Sequence, residues 1–203
     1  MALSSGKQNY NLHWERIKAN DLDAFKTLFD TFYEELVSYS HRFTQQLVVS
    51  EEIVQDVFVS LWERRKQIKI TTSINAYLYR AVKNRTINYL KHQLPKDQAT
   101  TDIEVASKIE DQSTAAEVDD SLEAVLDRAI GELPEKCRVI FLLSRNEGLT
   151  HKEIAEELSL SPKTVENQIG IAIKKLRSAL KPYLGLSMVY AIFKIVSYLL
   201  WGY

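Results

Sequence analysis

Two stretches of this chain carry the residues best suited to hold a charged partner. Between Arg64 and Lys96 there are nine cations and no Asp or Glu: Arg64, Arg65, Lys66, Lys69, Arg80, Lys83, Arg85, Lys91 and Lys96. Thr71, Thr72 and Ser73 make a polar loop within this run, and Tyr77, Tyr79 and Tyr89 are interleaved with the cations. A cationic surface attracts phosphates whatever the base sequence. Aromatic rings beside it can stack on unpaired bases. The alternative is a basic face that balances the acidic segment before it. The acid-free length, the hydroxyls and the tyrosines favour binding. The second stretch, Leu149–Leu180, ends in a helical pattern whose outer face carries Lys163, Asn167, Gly170, Ile171 and Lys174. A DNA major groove is wide enough to admit such a helix.

Nothing in the sequence points to bond-making chemistry. The four histidines, His13, His41, His92 and His151, are scattered and lack metal-ligand spacing. Cys137 is the only cysteine, so an internal disulfide is excluded. It lies in an apolar run, which suits a small buried side chain and a reducing, cytoplasmic setting. No carboxylate cluster or activated nucleophile is present, so neither a cofactor nor an enzymatic role is expected. The net charge is −1, so any positive surface must be local.

The elements that must position these residues read as all-α. The 203 residues suffice for one large domain or two small ones, and six Gly with four Pro suit a mostly helical chain. Residues 1–20 are a polar arm with Leu12, Trp14 and Ile17, either frayed or docked as a short helix, and MALSSGKQNY has no signal-peptide core. From Asp21 a helix carries Phe25, Leu28, Phe29, Phe32 and Leu36 on one side. After a polar break at 44–49, Ser50 is expected to cap the next helix, with Glu51 and Glu52 at its positive end. Val54, Val57, Phe58, Leu61 and Trp62 form its inner stripe. Glu52, Gln55, Asp56 and Glu63 are left outside, as a solvated acidic face or a docking face. Ser73 can cap a helix to about His92, with Leu78, Ala81 and Val82 inward and Arg80, Lys83, Asn84 and Lys91 on another face.

Pro95 ends that helix. Residues 95–120 are acidic, polar and poor in aromatics, and are read as an extended linker. A second small helical domain, 121–181, follows. Leu122, Val125, Leu126, Ala129 and Ile130 mark its first helix. Leu133-Pro134 opens a second, with Val139, Ile140, Leu142 and Leu143, and Gly148 punctuates. Thr150 and Glu153 form a capping box, with Ile154, Ala155 and Leu158 on one face. Ser159-Leu160-Ser161 breaks the helix. Ser161 and Pro162 then start another, whose buried stripe is Val165, Ile169, Ala172 and Leu176. This is the helix-turn-helix pattern, although an ordinary core hairpin shares its capping signals. Residues 182–203 are strongly apolar, with Val189, Ile192, Phe193, Val196, Leu199 and Leu200 on one helical stripe. Lys194 near the middle would cost about 2.5–3.5 kcal/mol on insertion. A helix packed on a domain or a partner protein, or resting on a membrane surface, is therefore expected ahead of a span.

In this order the pieces resemble a bacterial RNA polymerase sigma factor of the extracytoplasmic-function type, in the style of Bacteroidetes. Three motifs carry the likeness. EEIVQDVFVSLWERR (51–65) is similar to the helix that grips core polymerase. INAYLYRAVKNRTINYLK (74–91) is similar to the helix that meets the promoter minus-ten element. LPEKCRVIFLLSRNEGLTHKEIAEELSLSPKTVENQIGIAIKKLRSAL (133–180) is similar to the domain that binds the minus-thirty-five element. The resemblance implies sigma domain 2 over 21–94 and sigma domain 4 over 121–181, flanked by the N-terminal arm, the linker and the apolar tail.

The resemblance also implies roles. Glu52, Gln55, Asp56, Val59 and Glu63 would dock on core RNA polymerase, with Trp62 packing behind them. Lys69, Thr71, Thr72 and Ser73 would form the loop pocket for a flipped minus-ten base. Tyr77, Arg80, Lys83, Asn84 and Lys91 would complete the minus-ten surface. Lys163, Thr164, Glu166, Asn167, Ile171 and Lys174 would meet the minus-thirty-five groove. The linker would thread the RNA exit path of the polymerase. Core polymerase and promoter DNA are the implied partners, with an anti-sigma factor or a recruiting protein in addition.

The chain departs from the pattern at Asn88, where the family often has Asp, and at Glu166 and Gln168, where some relatives have Arg. Few cations mean few phosphate contacts. Asn167 can still read adenine, and Ile171 a thymine methyl. Weak minus-thirty-five reading is therefore expected, with promoter choice resting on the minus-ten contacts or on a recruiting partner. The rival readings are a stand-alone helix-turn-helix regulator and a membrane-surface adaptor acting through the tail.

Overall fold

The computed structural model describes residues 14–71, 73–93 and 122–181. Leu12 and the rest of the arm before Trp14, Thr72, the linker at 95–120 and the apolar tail at 182–203 lie outside the described residues, as does the side chain of Leu122. The described residues contain helices and no strand, and the chain divides into two units, Met1–Leu94 and Pro95–Tyr203.

In the first unit, α1 covers residues 14–18 among those described, and α2 runs from Leu22 to Thr44. Trp14 and Ile17 are buried in the core, so this part of the arm is docked. Asp21 starts α2: its carboxylate accepts the Ala24 N–H at 3.0 Å and the Arg16 guanidinium at 2.8 Å. Those two bonds hold the Asp21 carboxyl below the usual carboxylate range. The helix ends at Gln45, whose left-handed φ of 55° turns its N–H back onto the His41 carbonyl.

The turn is shorter than the sequence suggests. Helix α3 begins at Leu47 and runs to Arg64, and its N-cap position is Gln46, which makes no side-chain cap bond. Ser50 is therefore not a cap. It is buried a turn inside, bonded to the Gln46 carbonyl at 2.9 Å and to the Thr44 hydroxyl at 2.8 Å. Glu51 and Glu52 fall in the second turn, beyond the free N–H groups of the helix start. The cause is local. Leu47 and Val48 open the helix while 55% and 66% exposed, so hydrophobicity gives no sign of where it starts.

Helix α4, Ile74–Gln93, packs on α2 and α3. The core they share contains Leu28, Phe32, Leu36, Val54, Phe58, Leu61, Leu78 and Val82. Phe58 takes Phe29 edge-on at 4.9 Å and Phe25 at 6.1 Å, and Trp62 packs on Phe25 at 4.9 Å. Such pairs add about 0.5–1.5 kcal/mol each beyond the area they bury. Between α2 and α4 the hydroxyls of Ser40 and Thr86 satisfy each other at 3.0 Å. On α4 the buried residues Leu78, Val82, Thr86 and Leu90 recur every fourth position, and so do the exposed Ala76, Arg80, Asn84, Asn88 and His92. Residues four apart lie above one another on a helix, so the first row faces the core and the second faces outward.

The second unit contains α5 (Leu122–Gly131), α6 (Glu135–Asn146), α7 (His151–Leu158) and α8 (Pro162–Leu180). Cys137, Val139, Ile140, Leu142 and Leu143 on α6 are buried. The Cys137 thiol donates to the Gln168 carbonyl at 3.3 Å, and burial pushes its pKa up to about 11, which keeps it an unreactive thiol. Arg138, unremarked in the sequence, is also buried. Its Nη1 donates to the Gly131 and Leu133 carbonyls at 3.1 and 2.9 Å, closing the end of α5.

Thr150 caps α7 with both halves of the capping box, and Gly148, at φ +65°, supplies the left-handed residue just before it. The Glu153 carboxylate accepts the Thr150 backbone N–H at 2.8 Å and its hydroxyl at 2.7 Å, which lowers the Glu153 pKa. A lowered folded-state pKa gives stability that is present at neutral pH and is lost as the pH falls through that value. Thr150→Ala is accordingly expected to destabilise the second unit by about 1 kcal/mol in neutral urea titrations. The gap between variant and parent should narrow below about pH 4.

Candidate nucleic-acid interface

Ser73 sets the start of α4 by accepting the Ala76 N–H at 3.2 Å. Lys69 and Thr71 are exposed in the loop before it, Ser73 and Tyr77 are half-buried, and Thr72 lies outside the described residues. Arg80 and Asn84 are exposed on the outward row, with Lys83 and Lys91 half-buried beside it. This face can hold a strand of phosphates with the hydroxyls of the loop at one end.

The tyrosines do less than the sequence suggests. Tyr79 lies edge-on to Tyr39 at 5.4 Å, and burial, then the Glu35 carboxylate, push its pKa up, so its ring belongs to the core. Tyr77 and Tyr89 are half-buried against the same core. Two of the nine cations also serve the fold. Arg65 stacks 4.0 Å over the Trp62 ring and donates to Asn20 Oδ1 at 2.6 and 3.0 Å. Arg85 reaches across to α3, giving Nη1 to Asp56 at 2.8 Å and Nη2 to Ser60 at 2.7 Å.

On α3, Glu52, Gln55, Asp56, Val59 and Glu63 are all exposed, Val59 by 55%. Gln55 donates to the Tyr33 hydroxyl at 3.3 Å, and Asp56 is shared with Arg85, so these two already hold partners within the chain. A cleft of about 540 Å³ opens beside them, lined by Val49, Glu52, Ile53, Asp56, Arg85, Asn88 and Tyr89. It joins the acidic face of α3 to the outward row of α4.

In the second unit, Ser161 caps α8 by accepting the Thr164 N–H at 3.0 Å, and the two hydroxyls are bonded at 2.8 Å. Val165, Ile169, Ala172 and Leu176 are buried. Lys163, Glu166, Asn167, Gly170 and Lys174 are exposed. Lys163 pairs with Glu166 at 2.9 Å, and the ammonium holds that carboxyl below its usual range. Ile171 is not on the outer face. It is half-buried against the cluster of Ala129, Cys137 and Ala172, with Leu126 and Ile130 nearby. The reason is that α5 packs along the flank of α8 and widens its buried arc beyond one stripe. Sequence reasoning missed Arg177 and Lys181, both exposed. The three-and-four spacing that links Lys163, Asn167, Gly170 and Lys174 continues through both and was the available signal.

Among the described residues no group of His, Cys, Asp or Glu could hold a metal ion. No described helix is long and apolar enough to cross a membrane.

A basic helix with a hydroxyl-bearing loop in one unit, and a capped helix-turn-helix in the other, define a two-unit helical protein built to bind nucleic acid. Residues 28–94 match the Sigma-70 region 2 family and residues 123–176 match the Sigma-70, region 4 family, together more than half of the chain. The chain belongs to the sigma-70 family, as a factor of the extracytoplasmic-function type. It is similar to the RNA polymerase sigma-H factor of Pseudomonas aeruginosa, at 26% identity over 84% of this chain and 93% of that one. It is similar also to the ECF RNA polymerase sigma factor SigW of Bacillus subtilis, at 24% identity over 82% of this chain and 94% of that one. The solved structure of CnrH in complex with the cytosolic domain of CnrY aligns at 22% identity and a TM-score of 0.45, over 85% of this chain and 97% of that one.

Proposed function

We propose that this chain acts as a promoter-recognising sigma factor, docking on core RNA polymerase through α3 and capturing the opened minus-ten strand with α4 and the loop before it. The observation that carries this reading is the split of α4 into two rows. Its buried row is sealed in the core, while Arg80 and Asn84 stand exposed on a helix without acidic residues. Flipping a base out of the duplex costs about a few kcal/mol. Capture beside Lys69, Thr71 and Ser73, with phosphates held by Arg80, Lys83 and Lys91, offsets that cost. The chain itself makes and breaks no bond and works in the cytoplasm, where the polymerase is.

Upstream, α8 enters the minus-thirty-five groove. The pairing of Lys163 with Glu166 supports sparse phosphate contact there. An anti-sigma factor or a recruiting protein is a proposed further partner. Glu52→Lys reverses a charge on the exposed face of α3, beside Asp56, and is expected to weaken core binding about tenfold. Fluorescence anisotropy with labelled chain measures it, and unchanged affinity would move the docking surface elsewhere. The whole reading is tested by start-site mapping in a purified system. Initiation at defined sites should require both core enzyme and this chain.

A further inference from the structure

We propose that Gly170 is a notch in the outer face of α8, in which a base edge of the upstream duplex seats directly against helix backbone. The inference rests on the sigma-factor reading of α8 and adds the residue that sets how deep the helix lies in the groove.

Among the described residues nothing requires a glycine at this position. Its backbone is helical, and Gly148 is the glycine with positive φ among the described residues. A Cβ built on Gly170 would meet nothing within 4 Å, so no neighbour among the described residues needs the space. Glycine in a helix interior is also less stable than alanine. The space is therefore free for something beyond the described residues, and a duplex lying against α8 is placed to use it.

The surroundings indicate what that is. Glu166, Asn167, Ile173 and Lys174 stand one turn before and one turn after Gly170, so they flank it along the helix. Val165, Ile169, Ala172 and Leu176 anchor the opposite face, so the notch is held in place. A helix with its side chains is about 10–12 Å across, close to the width of the major groove at about 12 Å. Removing the side chain at the middle of the contact lets the helix sit deeper. Asn167, one turn back, is then brought within reach of an adenine. Contact at close range also suits a face whose Lys163 is paired with Glu166.

The test uses the full chain in holoenzyme. Its probe is a duplex fragment that the wild-type holoenzyme recovers from a randomised promoter pool, with and without its upstream element. Gly170→Ala is expected to raise the melting temperature of the chain by about 4 °C. Its affinity for the complete fragment should fall about five- to tenfold, with no change on the fragment lacking the upstream element. Gly170→Lys should bind the complete fragment more weakly still, although it adds a cation. Tighter binding by Gly170→Lys, or unchanged binding by Gly170→Ala, would overturn the notch. Equal wild-type affinity for the two fragments would overturn it as well. Core-dependent initiation by the same preparations judges the sigma-factor reading separately.

Discussion

Replacing Arg80 and Asn84 together with alanine is expected to lower open-complex formation about a hundredfold, while affinity for core polymerase stays within about twofold. The estimate takes about 1–3 kcal/mol for each contact to strand or base, and about 2.7 kcal/mol in total corresponds to a factor of a hundred. Both residues lie on the exposed row of α4, and the buried row of Leu78, Val82, Thr86 and Leu90 is untouched. Exposed substitutions of this kind shift stability by about 0.5 kcal/mol or less. The two measurements therefore separate binding from opening. Permanganate reactivity of unpaired thymines reports the opening, and anisotropy with labelled chain reports the docking. Equal losses in both would mean that α4 serves the polymerase contact rather than the strand.

Arg138→Ala is expected to cost the second unit about 2–4 kcal/mol. Arg138 is 6% exposed as a residue, and its Nη1 serves the carbonyls of Gly131 and Leu133 where α5 ends. Removing it leaves two acceptors without that donor and leaves buried volume unfilled where α5 ends. Burial lowers its pKa below the usual guanidinium range, yet a guanidinium keeps its charge at neutral pH. Charge favours the end of a helix where carbonyls point outward. Arg138→Lys keeps the charge and loses the fork, so it should recover only part of the loss. Urea unfolding followed by circular dichroism decides the matter. An unchanged midpoint for Arg138→Ala would show that the carbonyls find other donors.

How much of this could be read beforehand depends on the reach of each interaction. The caps of the helix-turn-helix were legible because Thr150 with Glu153, and Ser161 with Pro162, act within three residues of one another. The buried stripe of α8 was legible for the same reason, through its three-and-four spacing. Residues whose partners come from elsewhere in the chain were not. Arg85 looked like part of a basic run until α3 brought Asp56 and Ser60 against it. Tyr79 looked available for stacking until α2 supplied Tyr39 and Glu35. Ile171 looked outward until α5 packed beside it. Ser50 misled for a different reason: serine is a favoured cap, and only the exposed, apolar Leu47 and Val48 reveal that the helix had already begun. The exposed rows of α3 and α4 could be outlined from spacing alone, whereas the Asp56–Arg85 pair that lines the cleft between them could not.

In one small helical unit, the exposed acidic face of α3 and the exposed row of α4 that carries Arg80 and Asn84 divide the labour between polymerase and opened DNA. Titration of purified bacterial core RNA polymerase with the labelled full-length chain tests it most directly. Saturable one-to-one binding, weakened by Glu52→Lys and indifferent to the Arg80 and Asn84 double substitution, is the expected result. No saturable binding to core enzyme, or binding that the double substitution abolishes while Glu52→Lys leaves it intact, would contradict it.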